Sequence, residues 1–503
     1  MTTLSTETSH FRLLQDHAIH HTAENAYYGQ AGFYILHDPA EDALGLPSGD
    51  YDIPLALAAK QYNADGTLFD PANELVSLYG DVFQVNGQPW PYFNVEPRKY
   101  RLRLLNISIS RSFKLYFEAD GSLGQHVPFA VIAADAGLLS KPVISSELEI
   151  SMGERWEVVF DFSAYAGKNI TLRNYRDVQN DDDFNSTDKV MRFVVGDRVK
   201  SSTNNGPLPS TLRTVALPPN KAGVDRTFRF ERSNGLWQVN GVVFADVANR
   251  ILAKPPRGTV EVWELVNGGG GWSHPVHIHL VDFQIISRDG ARPVLPYEKE
   301  ALKDVVWLGG SETVRVVARY APWDGVYMFH CHNLIHEDHD MMAAFNISVL
   351  QDFGYSEKTR FIDPMEQRWR SKPINGADFT PQAVQARLAE FAGLDAYNKV
   401  NEVEAKLEEY WRTKVAGTPN TLLTSVVTSS TAAATTAPIA SSSPAAAPVA
   451  SSSSSAAAPA PTSASASAPT SSAASTLLTT VRASTTTTSR TTTTRSTRTT
   501  ATR

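Results

Sequence analysis

Residues 330–341 of this 503-residue chain read HCHNLIHEDHDM, and they include its only cysteine, Cys331. Two histidines, one cysteine and a distant methionine are the ligands of a blue-copper centre, and Cys331, His336 and Met341 would supply three of them. Side chains alternate between the two faces of an extended strand, so the histidines on either side of Cys331 would point to the opposite face. This segment can therefore bind one metal through sulfur and present two imidazoles to other metals behind it.

A second histidine run, HPVHIH, occupies residues 274–279. His277 and His279 are two positions apart, so a strand places both imidazoles on one face. His274 lies three positions before His277, so its side chain points to the opposite face of the strand. There it can complete the ligand set of the blue-copper centre. The two runs together therefore supply ligands for more than one metal ion.

Two simpler explanations compete with copper. A lone histidine is usually a surface or core residue satisfied by hydrogen bonds, but two clustered runs with a cysteine and a methionine are not typical of that. Zinc also binds histidine and cysteine, in tetrahedral sets. Zinc needs neither an axial methionine nor the alternation of His330, Cys331 and His332, so the pattern favours copper.

The rest of the chain predicts short strands followed by helices. The predicted strands include residues 30–36, 100–104, 156–162, 191–195, 259–265, 313–317 and 326–329. Residues 100–104 alternate as a half-buried strand does, and many short strands separated by turns are typical of a β-sandwich. Thr380 and Pro381 have the form of a helix N-cap and first helical position. An apolar stripe that includes Val384 and Leu388 then predicts terminal helices that cover a β-domain.

Four segments, one of which overlaps the 330–341 run, resemble the multicopper oxidase family. They are DHAIHHTAENAY at 16–27, VNGQPWP at 85–91, NVEPRKY at 94–100 and HEDHDMMAAFN at 336–346. With the two histidine runs, these segments make the chain most similar to the fungal bilirubin oxidase branch, and bacterial spore-coat laccases are more distant. The resemblance extends from about Asp16 to about Pro373. It implies an all-β fold of tandem cupredoxin-like Greek-key β-sandwich domains.

The resemblance also implies copper as the cofactor. In this family a type 1 copper takes electrons one at a time from an organic donor, and a trinuclear cluster of type 2 and type 3 coppers reduces O₂ to water. Carried onto this sequence, the type 1 ligands are His274, Cys331, His336 and Met341. The trinuclear ligands are His277 for type 2 and His279, His330, His332 and His17 for type 3. Electrons would then pass from the cysteine to its histidine neighbours along one strand.

The same resemblance predicts the reaction. Bilirubin-like tetrapyrroles, phenols and aromatic amines are the expected donors, and they would meet the exposed ring edge of His274 or His336. Glu337 is the candidate catalytic proton donor, although a solvated surface charge explains this residue as simply. The alternative function is a non-catalytic blue-copper electron-transfer or copper-binding protein with an incomplete trinuclear cluster.

The beginning of the chain departs from the family pattern. Multicopper oxidases carry two further His-x-His pairs in their first domain, and here Gln15 replaces one of those histidines and the earlier pair is missing. By that count five of eight trinuclear histidines remain, while the type 1 set is complete. We expect a misplaced start, in which about fourteen unrelated residues, Met1–Leu14, replace the true upstream sequence and carry no secretion signal. A genuine chain that has lost its oxygen chemistry is the alternative.

These features divide the chain into successive domains. We predict a remnant of a largely missing first cupredoxin domain at 1–48, a second cupredoxin domain that is only a spacer at 49–197, a linker at 198–220, a third cupredoxin domain with the type 1 copper at 221–375, C-terminal helices at 376–414 and a disordered Ser/Thr/Ala/Pro-rich tail at 415–503. Such a tail cannot bury enough apolar surface to fold, and its composition is typical of an O-glycosylated stalk.

The composition of the chain limits the classes of molecule that it is expected to bind. A net charge of −7 and a pI of about 6.0 argue against nucleic-acid binding. There is no apolar run of the roughly 18 residues that a membrane helix needs. Four Asn-x-Ser/Thr sequons, at Asn106, Asn169, Asn185 and Asn346, favour a secreted glycoprotein. We therefore expect a secreted monomer whose partners are a small organic reductant and O₂.

Overall fold

Short strands with turns between them make up most of the described chain, as the sequence predicts. The computed structural model describes residues 10–348, except 177, 179, 180, 220 and 291, together with 375–394 and 400–417. The predicted tail lies outside the described residues except for its first three positions, which belong to a helix. In the described part of the chain, no helix is both long enough and apolar enough to cross a membrane.

The strands follow one another closely along the chain. They are β1 His10–Gln15, β2 Ala31–Leu36, β3 Asp52–Lys60, β4 Val82–Val85, β5 Gln88–Pro89, β6 Tyr92–Val95, β7 Lys99–Asn106, β8 Phe113–Ala119, β9 His126–Val127, β10 Phe129–Ala134, β11 Gly137–Ser145, β12 Leu148–Ile150, β13 Arg155–Asp161, β14 Asn169–Asn174, β15 Lys189–Val195, β16 Arg226–Ser233, β17 Leu236–Val239, β18 Ile251–Ala253, β19 Val260–Asn267, β20 His274–Ile278, β21 Phe283–Asp289, β22 Val305–Leu308, β23 Thr313–Arg319, β24 Gly325–Cys331 and β25 Met342–Ile347.

Helices are few and mostly short. They are α1 Thr22–Tyr27, α2 Pro39–Asp42, α3 Pro296–Lys299, α4 Leu334–Asp338, α5 Pro381–Leu394 and α6 Val400–Gly417, with 3-10 turns at Gly49–Tyr51, Pro71–Asn73, Ser163–Tyr165 and Gly376–Phe379.

The first β-sandwich is built from strands β3 to β15. Its larger sheet has the order β11-β10-β13-β7-β3-β4-β5, and the other has the order β12-β8-β14-β15-β6 with β9 beside β8. The core between them is strongly apolar, with Leu102, Val131 and Phe160 fully buried. Alternation of apolar side chains along these strands explains this core, since every second residue points inward.

The polar face of β7 differs from the prediction of a half-buried strand. Arg101 and Arg103 are both buried, because the segment before β3 covers this face. Arg101 pairs with Glu41 and Glu157, and Arg103 makes a two-point ion pair with Asp52 at 2.7 Å for each contact. Burial is tolerated here because each guanidinium is matched by carboxylates.

The second sandwich consists of strands β16 to β25. Its two five-stranded sheets have the orders β17-β16-β19-β23-β21 and β18-β25-β24-β20-β22. β20 and β24, which carry the two histidine runs, are antiparallel neighbours in the middle of the second of these sheets. The core between the sheets contains Cys331 and Met341 among its aromatic and aliphatic side chains.

A separate two-stranded sheet forms from β1 and β2, with His10 opposite Leu36 and Gln15 opposite Ala31. Phe11 is 1% exposed, and its ring lies 5.1 Å from that of Phe33. Residues 10–14 therefore belong to the fold, whereas the misplaced start stays a prediction. Alternating apolar side chains let this segment pair with β2 and bury one face.

The predicted helix start at Thr380 is confirmed, because its hydroxyl accepts a hydrogen bond from the Ala383 amide at 3.3 Å. α6 covers the second sandwich, where Trp411 Nε1 donates to the Arg257 carbonyl at 2.9 Å. The apolar stripe predicted on α5 is exposed instead, at Val384 and Leu388. Of the two terminal helices, α6 is therefore the one that covers the second sandwich.

Candidate metal centres

The pairing of β20 with β24 brings the two histidine runs side by side. Val276 lies opposite Cys331, and His277 lies opposite His330. Opposed residues share a face of the sheet, so Cys331 points into the sandwich core together with Val276. His277 and His330 point to the other face, as the alternation along the strand predicts.

The first group of donors, which we call the cysteine cluster, consists of His274, Cys331, His336 and Met341. The Nδ1 atoms of His274 and His336 each lie 3.6 Å from Cys331 Sγ and 3.2 Å from one another. All four residues are fully buried. The Met341 carbonyl accepts a hydrogen bond from the Cys331 amide at 3.1 Å, so the methionine backbone lies directly beside the cysteine.

A short helix returns His336 to Cys331. Asn333 caps α4, with its side-chain oxygen 3.2 Å from the Ile335 amide, and the Asn333 amide itself donates to Cys331 Sγ at 3.4 Å. Ser110 of the first sandwich donates to the same asparagine oxygen at 3.0 Å. These bonds hold the turn after β24 so that an imidazole five residues later faces the sulfur.

Electrostatics of the cysteine cluster suit a soft cation. Burial lowers the pKa of His274 to about 3 and that of His336 well below its usual value, so both imidazoles are neutral and carry lone pairs. Burial also raises the pKa of Cys331. A metal ion must therefore displace the thiol proton, and two imidazoles, a thiolate and a thioether are the donor set of a blue-copper site.

Access to this cluster differs from the expectation of an exposed histidine edge. His274 and His336 are both 0% exposed. Trp237 covers them, because its ring stacks on His336 at 3.6 Å between centroids and lies edge-on to His274 at 5.9 Å. Trp272 lies 5.1 Å from Trp237, and the Arg232 guanidinium lies 5.2 Å from the Trp237 ring. Sequence reasoning missed Trp237, because its strand β17 contains no histidine, cysteine or methionine that would mark it as part of a metal site.

The second group, which we call the histidine cluster, consists of His17, His277, His279, His330 and His332. The Nε2 atoms of His279 and His330 lie 3.3 Å apart. Donor atoms of His17, His279 and His330 all lie within 4.8 Å of one another. The structure therefore brings together all five histidines that the family resemblance assigned to the trinuclear cluster.

His277 and His332 are the other two members of the histidine cluster. The His277 ring lies 4.7 Å from that of His279, and the His332 ring lies 5.8 Å from that of His330. Burial lowers the pKa of His277 to about 4 and that of His332 to about 3. Gln15, which the family resemblance predicts to occupy a histidine position, places Nε2 3.4 Å from His332 Nε2. Neutral imidazoles with converging nitrogens can bind divalent copper.

Glu337 lies behind the histidine cluster and is not a solvated charge. Its side chain is 2% exposed, with Oε1 accepting from His17 Nδ1 at 2.9 Å and Oε2 3.0 Å from His330 Nδ1. Burial alone would raise the pKa of Glu337, but the charges of His330 and His17 and the hydrogen bond from His17 hold it well below its usual value. A carboxylate on Nδ1 directs Nε2 of the same ring toward the cluster.

Comparison with known proteins agrees with this arrangement. A profile of the multicopper oxidase family matches residues 216–351. The chain is 55% identical to a bilirubin oxidase from Albifimbria verrucaria, over 77% of this chain and 70% of that protein. It is 34% identical to a laccase from Bacillus stratosphericus, over 66% of this chain and 70% of the laccase. Its fold matches McoA multicopper oxidase from Aquifex aeolicus with a TM-score of 0.62 and 30% identity, over 68% of this chain and 76% of that one.

The chain belongs to the multicopper oxidase family. It is therefore a copper-dependent oxidoreductase of the class that uses O₂ as electron acceptor, and its tandem β-sandwiches are the cupredoxin-like domains of that class. The predicted resemblance to fungal bilirubin oxidases is confirmed by the identity with the Albifimbria protein.

Proposed function

We propose that this protein couples one-electron oxidation of small aromatic donors to the reduction of O₂ to water. In this proposal His274, Cys331, His336 and Met341 of the cysteine cluster would hold a type 1 copper, which would accept electrons one at a time. Convergence of two neutral Nδ1 atoms on one buried sulfur is the observation that carries the proposal. Copper bound in the two clusters would supply the one-electron acceptor and the four-electron reductant of O₂.

The histidine cluster is the proposed trinuclear site, with His277 as the type 2 ligand and His17, His279, His330 and His332 as type 3 ligands. Its support is the convergence of imidazoles on the face opposite Cys331. Cys331 is bonded in sequence to both His330 and His332, so a short covalent path joins the two sites. We propose that the Glu337 carboxylate orients His17 and His330. Because its pKa is depressed, it would pass on a proton received from His17, rather than store one, for the oxygen side of the reaction.

Donors are proposed to dock near Trp272 and pass electrons through Trp237, which stacks on His336. Flat aromatic molecules such as phenols, aromatic amines and bilirubin-like tetrapyrroles suit this stacked surface. The nearby Arg232 guanidinium would favour donors that carry a carboxylate. We propose that the protein is a secreted, monomeric glycoprotein. The sequons at Asn169, Asn185 and Asn346 support glycosylation, whereas Asn106 is fully buried and cannot carry a glycan in this fold.

The second candidate function is a blue-copper electron carrier, and the observation in its favour is Gln15 in contact with His332. An amide cannot replace imidazole as a strong copper ligand, so the histidine cluster would be short of a donor there. The deciding experiment measures copper content and O₂ uptake of the purified chain with a phenolic donor. Copper in excess of the blue site together with donor-dependent O₂ uptake supports the oxidase, whereas blue copper alone without uptake supports the carrier.

A further inference from the structure

The turn between β12 and β13 of the first sandwich contacts the histidine cluster. The turn and the first residue of β13, together residues 151–155 and called the 151–155 turn below, were predicted to belong to a domain that acts only as a spacer. Gly153 has φ +79°, and a Cβ atom added there would lie 2.6 Å from Nε2 of His332. The imidazole of His332 therefore fills the space that a side chain at this position would need.

Arg155, at the end of the same turn, reaches His277 through one intermediate residue. Its Nη1 and Nη2 atoms donate to Oδ1 and Oδ2 of Asp304 at 2.5 and 2.7 Å. The Asp304 backbone carbonyl accepts a hydrogen bond from His277 Nδ1 at 2.8 Å. A carbonyl can only accept, so the proton of neutral His277 is on Nδ1 and the Nε2 lone pair faces the cluster.

A buried network of ion pairs holds Arg155 and Asp304 in place. Asp135 accepts from the Arg155 amide at 2.8 Å and from the Asp304 amide at 3.2 Å. Lys303, which is 0% exposed, lies 2.9 Å from Asp135 and 3.0 Å from Glu154. Buried ion networks add little net stability compared with apolar packing, so stability alone does not explain these charges. Their geometry defines where Asp304 lies.

The same arginine also holds the segment that leads to His17. Arg155 Nε lies 3.4 Å from the Phe11 carbonyl in β1, the strand that ends at Gln15. One side chain of the first sandwich thus contacts β1 and, through Asp304, the strand that carries His277. The turn therefore lies where small shifts would move several imidazoles together.

We propose that the 151–155 turn of the first sandwich positions the histidine cluster for metal binding. Arg155 orients His277 through Asp304, and Gly153 leaves the space in which His332 lies. This inference rests on the proposed role of the histidine cluster as a copper site. Neither residue is a ligand, and both act through the imidazoles that they hold. Substitution of such outer partners typically costs about 10–100-fold in metal affinity.

The test compares Arg155→Lys with Arg103→Lys in the full chain. Arg103 makes the same buried two-point ion pair, with Asp52, and its other partner is Glu157. Each variant is titrated with Cu²⁺, with the sulfur-to-copper charge-transfer band reporting the cysteine cluster and electron paramagnetic resonance reporting non-blue copper. We expect Arg155→Lys to weaken non-blue copper binding about 10–100-fold and to keep the blue band. Arg103→Lys should leave both signals as in the unchanged chain.

A second variant and a metal-free measurement guard against a folding defect. Gly153→Ala should also weaken non-blue copper and keep the blue band, because its Cβ would displace His332. In metal-free protein labelled with ¹⁵N-histidine, nuclear magnetic resonance should show His277 protonated on Nδ1 in the unchanged chain and in Arg103→Lys, but a mixture of tautomers in Arg155→Lys.

Two results would overturn the inference in different ways. Equal non-blue copper affinities in Arg155→Lys, Gly153→Ala and the unchanged chain would refute the positioning role and leave the ligand assignment standing. Failure of the unchanged chain to bind any non-blue copper would refute both the ligand assignment and the positioning role.

Discussion

The cysteine cluster and the histidine cluster differ in how much of the molecule is needed to form them. All donors of the cysteine cluster come from the second sandwich, and all are fully buried in its core. The histidine cluster adds His17 from the N-terminal segment, whose side chain is 31% exposed, and contacts the first sandwich at Gly153. The donors of the first cluster therefore come from one sandwich, with Ser110 of the other sandwich supporting their turn, whereas the donors of the second come from separate parts of the chain.

The largest effect should come from Cys331→Ser, because a hydroxyl cannot replace thiolate as the copper ligand. We expect complete loss of the sulfur-to-copper charge-transfer band, with non-blue copper still bound at the histidine cluster. Absorption and electron paramagnetic resonance of copper-loaded protein measure the two clusters separately. A blue band that survives in this variant would remove the basis for the cysteine cluster.

Glu337→Gln should weaken the histidine cluster and spare the cysteine cluster. In metal-free protein the pKa of His17 is raised: burial lowers it, but the hydrogen bond and charge of Glu337 outweigh that. The contribution of His17 to stability is thus full below its unfolded pKa of 6.5 and is lost as pH rises through its higher folded pKa. Because the pKa of Glu337 is depressed, its contribution to stability is present above its unfolded pKa of 4.5 and is lost as pH falls through its lower folded pKa.

The pair should therefore stabilise the metal-free fold most between pH 4.5 and 6.5. We expect Glu337→Gln to cost about 1.5–3 kcal/mol of unfolding free energy in that window, measured by urea denaturation, and less above it. Glu264→Gln, which breaks a more exposed pair with Arg315, is the control and should cost at most about 1 kcal/mol. A pH-independent loss at Glu337 would contradict the ion-pair explanation.

Met341→Leu tests the cysteine cluster without removing its sulfur. Leucine has a similar volume, so the core should remain packed. Loss of the axial thioether should raise the type 1 reduction potential by about 59 mV or more, which is a tenfold change for one electron. A redox titration that follows the blue band measures the shift. An unchanged potential would mean that Met341 is not a ligand.

The smallest effect should be that of Trp237→Phe. Phenylalanine keeps an aromatic ring beside His336 but shortens the contact surface toward Trp272. We expect slower reduction of type 1 copper by a phenolic donor in stopped-flow experiments. Trp263→Phe, in the same core but packed on Phe228 and Tyr320, is the control. Both variants should lose roughly 1–3 kcal/mol of stability, so only the rate separates them.

Sequence patterns predicted the site better than its surroundings. Alternation along one strand correctly separated Cys331 from His330, because side-chain direction in a strand is a local property. The exposure of His274 was predicted wrongly, and of the two interpretations of Glu337 the structure contradicts the solvated charge, because both properties depend on what covers the residue. The covering residues, Trp237 and His17, come from distant parts of the chain.

The domain boundaries stay predictions, although the strands of the two sandwiches fall within the predicted second and third domains. The half-buried interpretation of residues 100–104 failed for a similar reason. Arg101 and Arg103 look like solvent-facing residues until Glu41 of α2 and Asp52 of the neighbouring strand β3 pair with them. Periodicity reports which residues share a face, but it does not report what packs on that face.

The amino-acid sequence by itself determined the donor types, their division between two faces of one strand and the family to which the chain belongs. These follow from residue identity and from the two-residue repeat of a strand, which need no distant partner. Only the tertiary structure decided the burial of His274 and His336, the stacking of Trp237 and the reach of Arg155 to His277 through Asp304. Each of these depends on contacts between segments far apart in the chain.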